Sequence, residues 1–263
     1  MTLKALIFDV DGTLAETEHN GHRCAFNAAF ADAGLEWYWG TELYGELLAV
    51  GGGRERIEAY MAHYKSRSPR SESALVDKLH ASKARHYVEL MERGDIPLRS
   101  GVYRLIAIEA RAAGLKLAVA TNSSSISLTS LTLRYFGATP EEVFDVVVCG
   151  DILKNKKPAP DAYRISLERL GLSAAECLAF EDSYVGLHAA SQMQVPTVVT
   201  VSRYTSAEDF SAAALVVSEL GDESYCLTPK NDPYDVIGNG CFVSIPMLQA
   251  LHLQTSQAHS DKR

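Results

Sequence analysis

The sequence predicts an α/β protein: a doubly wound, Rossmann-like parallel sheet with an inserted α-helical cap. Three observations lead there. Short apolar runs rich in β-branched residues recur along the chain, bounded by Gly, Pro or polar residues. Beyond Leu98 these runs alternate with helical patterns, which argues for a parallel sheet covered on both faces. Between the first run and the second lie about a hundred residues of helical periodicity, far more than one crossover needs.

In order, the strand-like runs are Lys4–Val10, Leu115–Thr121, Val143–Gly150, Cys177–Asp182 and Pro196–Val201. The helical patterns between them cover Val102–Ala113, Ile126–Tyr135, Asp161–Leu170 and Val185–Gln192. The long interval reads as four helices, His22–Ala33, Glu42–Ala49, Arg54–Tyr64 and Ser73–Met91, with a breaker-rich interruption "KSRSPRSES" at Lys65–Ser73. The expected division is therefore a core of residues 1–15 and 96–263 with a cap of residues 16–95. The polar ending, about residues 252–263, is expected to be a loose tail.

The 263 residues carry a formal net charge of −8, which argues against a broad nucleic-acid or anionic-membrane surface. A small anionic substrate needs only a local positive cluster. None of the five cysteines is in C-x-x-C spacing, and their odd number argues against a disulfide framework and for a reducing compartment. No basic segment precedes the first strand and no apolar run reaches membrane-spanning length. The expectation is a monomer in the cytoplasm, or in the plastid stroma for a processed form.

"KALIFDVDGTLAETE" (Lys4–Glu18) ends an apolar run with Asp9 and Asp11 and turns at Gly12. Two carboxylates this close repel when ionised, and burial raises the cost, so a bound cation or an exposed turn must resolve the conflict. Alone, the pattern is equally ordinary Asp-Gly turn chemistry. Three further strand ends change the weighting. "ATNSSS" (Ala120–Ser125) offers Thr121, Asn122 and amides at a helix start, which suit an anion or a simple cap. "KKPAPDAY" (Lys156–Tyr163) sets Lys157 before two prolines and a helix start at Asp161. "CLAFEDSYVG" (Cys177–Gly186) ends with Glu181 and Asp182, which packing does not explain.

In a doubly wound sheet these loops gather at the carboxyl ends of the strands. Asp9, Asp11, Thr121, Lys157, Glu181 and Asp182 would then share one site. Few carboxylates, with phosphate and water completing the shell, is how Mg²⁺ is usually held.

Taken together and in this order, "DVDGT", "TNS", "KKPAPD" and "EDS" resemble the haloacid dehalogenase superfamily of phosphotransferases, over the chain to about Val217. "HRCAFNAAF" (His22–Phe30) and "GGGRERI" (Gly51–Ile57) resemble its CbbY-like branch. The resemblance implies a phosphatase of sugar bisphosphates, typically xylulose 1,5-bisphosphate, an inhibitor of the carbon-fixing enzyme Rubisco. It implies Asp9 as nucleophile and Asp11 as general acid and base. Asp9, the Asp11 carbonyl and Asp182 would hold Mg²⁺, with Glu181 behind them, while Thr121, Asn122 and Lys157 would bind the phosphoryl group.

In the cap, Gly51, Gly52 and Gly53 precede Arg54, Glu55 and Arg56 at a helix start. Exposed amides, a helix dipole and two guanidinium groups suit a second phosphate; the alternative is a flexible loop before a solvated helix. Glu18 matches a substrate-contacting position of the branch, and His22 could orient cap residues. "TEHNGHR" (Thr17–Arg23) is one residue longer than the commoner T-E-x-L-H-R spacing. A β-phosphoglucomutase-like mutase shares all four core motifs, and a phosphoglycolate phosphatase is a further enzymatic reading. A non-catalytic phosphometabolite-binding protein is the reading of another class, against which Asp9, Asp11 and Lys157 speak. The segment after Gly221 carries no motif.

Overall fold

The structure is a computed structural model that describes residues 2–65 and 72–260; most of the interruption expected at Lys65–Ser73 lies outside them. The chain forms two compact units, one running through Ala15 and resuming at Leu98, the other Glu16–Pro97.

In the first unit, the described residues form a seven-stranded sheet of order β3-β2-β1-β4-β5-β6-β7. Its strands are β1 Ala5–Phe8, β2 Lys116–Ala120, β3 Val146–Val148, β4 Cys177–Glu181, β5 Thr197–Thr200, β6 Leu215–Val217 and β7 Pro229–Asn231. All pair in parallel except β7, which runs antiparallel along β6. The chain leaves β1 toward β2 and β3, then crosses to β4, so the switch point lies between β1 and β4. Every residue of β1 is fully buried, as a central parallel strand covered on both faces requires.

Alternate residues separate the faces. Ala5, Ile7, Ala118, Ala120 and Ala179 pack against Ala162, Tyr163, Leu167 and Ala190 of helices α7 (Asp161–Leu170) and α8 (Tyr184–Gln192). Phe8 and Phe180 are register partners on β1 and β4, and their rings stack with centroids 4.5 Å apart. Helix α5 (Ser125–Phe136), which the short α6 (Pro140–Val143) follows, is capped by Ser124, whose hydroxyl accepts from the Ser127 N–H. Ser183 does the same for α8 through the Gly186 N–H.

The second unit contains α1 Arg23–Asp32, α2 Thr41–Leu47, α3 Gly53–Tyr64 and α4 Ser73–Arg93. Its core is aromatic: Phe26, Phe30, Trp37, Trp39, Tyr44 and Tyr60 meet in stacked, tilted and edge-on pairs. The extra residue in "TEHNGHR" has a local explanation. Glu18–His22 is a π-turn running into α1, and such a turn takes up one more residue than an α-turn without ending the helix. Gly21 sits in this turn against Ile96 and Tyr87, where a Cβ would crowd both side chains. His22 stacks on Tyr87 and meets buried Lys83 Nζ at 2.9 Å from its Nδ1, so it organises the cap interior.

Two expectations are corrected in the carboxyl-terminal part. The ending is not loose through Ser260: α9 spans Ile245–Ser260 and buries Leu248, Leu251, His252 and Thr255. Those four positions recur at helical spacing, which a polar composition masks. Cys226 and Cys241 form a disulfide, contrary to the reading of the cysteine count. The chain on either side of the segment they close is held by Arg104, which donates to the carbonyls of Gly221 at 2.8 Å and Val243 at 3.0 Å. No helix of the described residues is long and apolar enough to cross a membrane.

Candidate active site

Four loops following parallel strands bring the core residues expected from the sequence to one edge. Asp9 follows β1, Thr121 follows β2, Lys157 precedes α7, Glu181 ends β4 and Asp182 follows it. Asp9 is tied to the neighbouring strand by its N–H, which donates to the Phe180 carbonyl at 2.9 Å. Lys157 is buried, and its Nζ donates to Asp9 Oδ1 at 2.7 Å and to Glu181 Oε1 at 2.6 Å. Asp9, Glu181 and Asp182 present carboxylate oxygens within 4.8 Å of one another, all from buried residues.

The charges do not balance within this cluster. Burial pushes the Asp9 carboxyl up to about 8, the Lys157 ammonium offsetting only part of the cost while Glu181 and Asp11 add to it. Burial likewise raises Asp182 well above the carboxylate range, with Asp9 adding to the effect. Burial works against the charge of Lys157, but Asp9 and Glu181 overrule it and its pKa lies above the ordinary value.

Three buried carboxylates against one ammonium is the arrangement a divalent cation relieves. Glu181 Oε2 is buried without a hydrogen-bond partner, which fits an acidic cluster that could bind a metal. The pH dependence follows. Between the unfolded value of 3.8 and about 8, folded Asp9 keeps a proton that the unfolded chain has released. Chelated protein should therefore lose melting temperature as pH rises from about 5 to about 8, and a divalent cation should remove much of that slope. Thermal melts with and without chelator check this, and a flat chelated profile would sink it.

Several positioning groups were not legible as such. Asn122 grips the Lys157 backbone from both sides: its Oδ1 accepts from the Lys157 N–H at 2.9 Å and its Nδ2 donates to the Lys157 carbonyl at 3.3 Å. Thr121 is buried, and its Oγ1 accepts from the Ser123 N–H at 3.1 Å. Ser123 Oγ donates to Asp11 Oδ2 and so orients that carboxylate. Tyr163, fully buried, donates to Glu181 Oε1 at 2.5 Å. The Ser202 side chain interacts with the Asp182 carboxylate and favours its charged form.

Gly12 has φ +76°, and a Cβ there would overlap Asp182 Oδ2. Gly12→Ala should displace Asp182 and cut kcat/KM by about 10²-fold or more, since misplacing a reacting group by an ångström costs that much. A near-normal rate would show that Asp182 has no strict position.

The cap residues fall into two groups. Gly52 precedes α3 and Gly53 begins it; no side chain caps this start. Arg54 is part-exposed and pairs with Asp77 and Glu58, and Glu55 is exposed. Arg56 differs from the expectation of a guanidinium open to a ligand. It is buried and donates to the carbonyls of Leu47 at 3.1 Å and Val50 at 3.3 Å and to the Tyr44 hydroxyl at 2.8 Å. Tyr44 in turn donates to Glu18. Arg56 thereby shapes the loop that leads to α3. Position relative to a helix start does not reveal such backbone partners.

Comparisons with known proteins converge. A model of the haloacid dehalogenase-like hydrolases matches residues 3–194. The plasmid-encoded protein CbbY of Cupriavidus necator is 46% identical over 222 residues, covering 84% of this chain and 87% of that protein. The CBBY-like protein of Arabidopsis thaliana is 37% identical, over 83% of this chain and 69% of that one. A crystal structure of a CbbY mutant from Rhodobacter sphaeroides in complex with xylulose-(1,5)bisphosphate superposes with TM-score 0.77 at 41% identity, covering 82% of this chain and 94% of that chain.

Proposed function

Because the chain belongs to the haloacid dehalogenase-like hydrolases and is a phosphatase of their CbbY-like branch, we propose that it removes phosphate from a small sugar bisphosphate, xylulose 1,5-bisphosphate first, with Mg²⁺ as cofactor. The observation that carries this is the buried triad of Asp9, Glu181 and Asp182 around a single lysine. Asp9, the Asp11 carbonyl and Asp182 would hold the ion, with Glu181 beside them. The ion supplies charge neutralisation that lets an anionic carboxylate approach an anionic phosphate.

In this reading Asp9 attacks phosphorus, forming an aspartyl phosphate as the sugar alkoxide leaves. Asp11, held by Ser123, gives its proton to the leaving oxygen and then takes one from the water that cleaves the acyl phosphate. Lys157, Thr121 and the Asn122 backbone N–H would meet the phosphoryl oxygens, where charge is greatest in the transition state. A second, non-reacting phosphate would meet the uncapped amides at the start of α3, Gly52 to Glu55, and the Arg54 guanidinium. Arg56 and Glu18, through Tyr44, would hold that surface in shape.

The test is phosphate release from a panel of mono- and bisphosphorylated sugars, with and without Mg²⁺. A ketopentose bisphosphate should be preferred, with release of free phosphate rather than isomerisation of the sugar phosphate, which would mark a mutase. Arg54→Ala should lower kcat/KM for the bisphosphate relative to para-nitrophenyl phosphate. One charge-assisted contact is worth about 1.5–3 kcal/mol, so the ratio should fall about ten- to a hundredfold. Arg56→Ala should lower that ratio and the melting temperature together. An unchanged ratio in both variants would remove the cap from recognition.

A further inference from the structure

We propose that Arg99 is a positioning residue for the metal-binding edge, one guanidinium that ties the loop after β1 to the ends of β5 and β6 and so sets the affinity for the divalent cation. This rests on the metal reading above and concerns a residue to which neither the motifs nor the comparisons assign a role.

Arg99 lies in "PLRSG", where the chain re-enters the core unit. Its Nη1 donates to the Gly12 carbonyl, to the Thr200 carbonyl at 2.8 Å and to the Thr200 hydroxyl at 3.3 Å. Its Nη2 donates to the carbonyls of Val201 at 2.7 Å and Ser218 at 2.5 Å. Its backbone N–H donates to the Leu14 carbonyl at 2.9 Å. Carbonyl groups at the carboxyl ends of parallel strands converge with their negative ends outward. A planar fork of five donors answers several of them at once, which a lysine cannot do.

Two of these anchors adjoin Asp182. Gly12 lies so close to it that a Cβ would strike Asp182 Oδ2. Val201 precedes Ser202, whose side chain interacts with the same carboxylate. Releasing the Gly12 and Val201 carbonyls would therefore loosen both walls that fix Asp182, while leaving Lys157, Asp9 and Glu181 with their own contacts. Groups that hold a metal ligand in place without touching the ion typically matter about 10–100-fold in metal affinity.

The experiment is calorimetric titration of the chelated, full-length protein with Mg²⁺, for wild type, Arg99→Met, Arg99→Lys and Ser100→Ala. The last variant changes the adjacent residue, whose hydroxyl donates to Asp222 away from the cluster. Arg99→Met should bind Mg²⁺ about tenfold or more weakly, Arg99→Lys about threefold or more, and Ser100→Ala as wild type does. In turnover of para-nitrophenyl phosphate the half-saturating Mg²⁺ should rise in step, with kcat largely restored at high Mg²⁺. Folded Arg99 variants with wild-type Mg²⁺ affinity would overturn the proposal, as would a loss of kcat that saturating Mg²⁺ leaves untouched. If Arg99→Met does not fold, Arg99→Lys decides alone, and wild-type affinity in it overturns the proposal. In each of these cases Mg²⁺-dependent turnover by wild type would leave the proposed function standing. A wild type that binds no Mg²⁺ would remove the metal reading and this proposal with it.

Discussion

Asp9→Asn should abolish phosphate release almost completely, by about 10³-fold or more, which corresponds to at least about 4 kcal/mol in the barrier. The amide preserves the volume of the side chain but cannot attack phosphorus, and it removes one negative donor for the cation. The fold should persist. Lys157 keeps Glu181 as a partner, and the amide spares the cluster the cost of protonating a buried carboxyl at pH 7. Chelated Asp9→Asn should therefore be at least as stable as chelated wild type at pH 7. Phosphate release and a chelated thermal melt together check this. Turnover within tenfold of wild type would exclude the aspartyl-phosphate route.

Lys157→Met should act on both stability and rate. The ammonium is buried between Asp9 and Glu181 and lies 5.2 Å from the centroid of the Tyr163 ring. Methionine fills most of the volume but leaves two carboxylates with no cation between them. Breaking a buried pair from one side costs about 3–5 kcal/mol. Denaturant unfolding in chelator should show that loss, and added divalent cation should recover part of it. Turnover should fall about 10²–10³-fold, because a donor to the transferring phosphoryl group is gone. Unchanged stability would mean that Asp9 and Glu181 relieve themselves by protonation without help from the lysine.

The asymmetry between these residues and those the sequence concealed has a physical origin. Asp9, Asp11, Lys157, Glu181 and Asp182 are polar groups at the ends of apolar runs, where packing offers no reason for them, so they stand out in one dimension. Ser123, Tyr163 and Ser202 act on the acidic cluster through side-chain partners that only the folded chain brings near, and the same holds for the grip of Asn122 on the Lys157 backbone. Arg56 stands in the same pattern as Arg54, yet the structure commits it to two backbone carbonyls and a tyrosine. Arg99 left no signal, because carbonyl partners belong to every residue alike.

Strand–helix alternation, the long helical interval after β1 and the order of the four motifs determined the α/β class, the insertion and the edge on which the chemistry sits. Apolar periodicity and strand-end polarity are local, and right-handed parallel connection leaves few ways to arrange them. Tertiary structure alone decided the π-turn at Glu18–His22, the pairing of Cys226 with Cys241 and the helical ending Ile245–Ser260. It also decided which arginine is buried and how the carboxylates share one lysine. The π-turn and the last helix form between near neighbours but are held by packing against distant residues, and the rest depend directly on distances that only the packed fold sets.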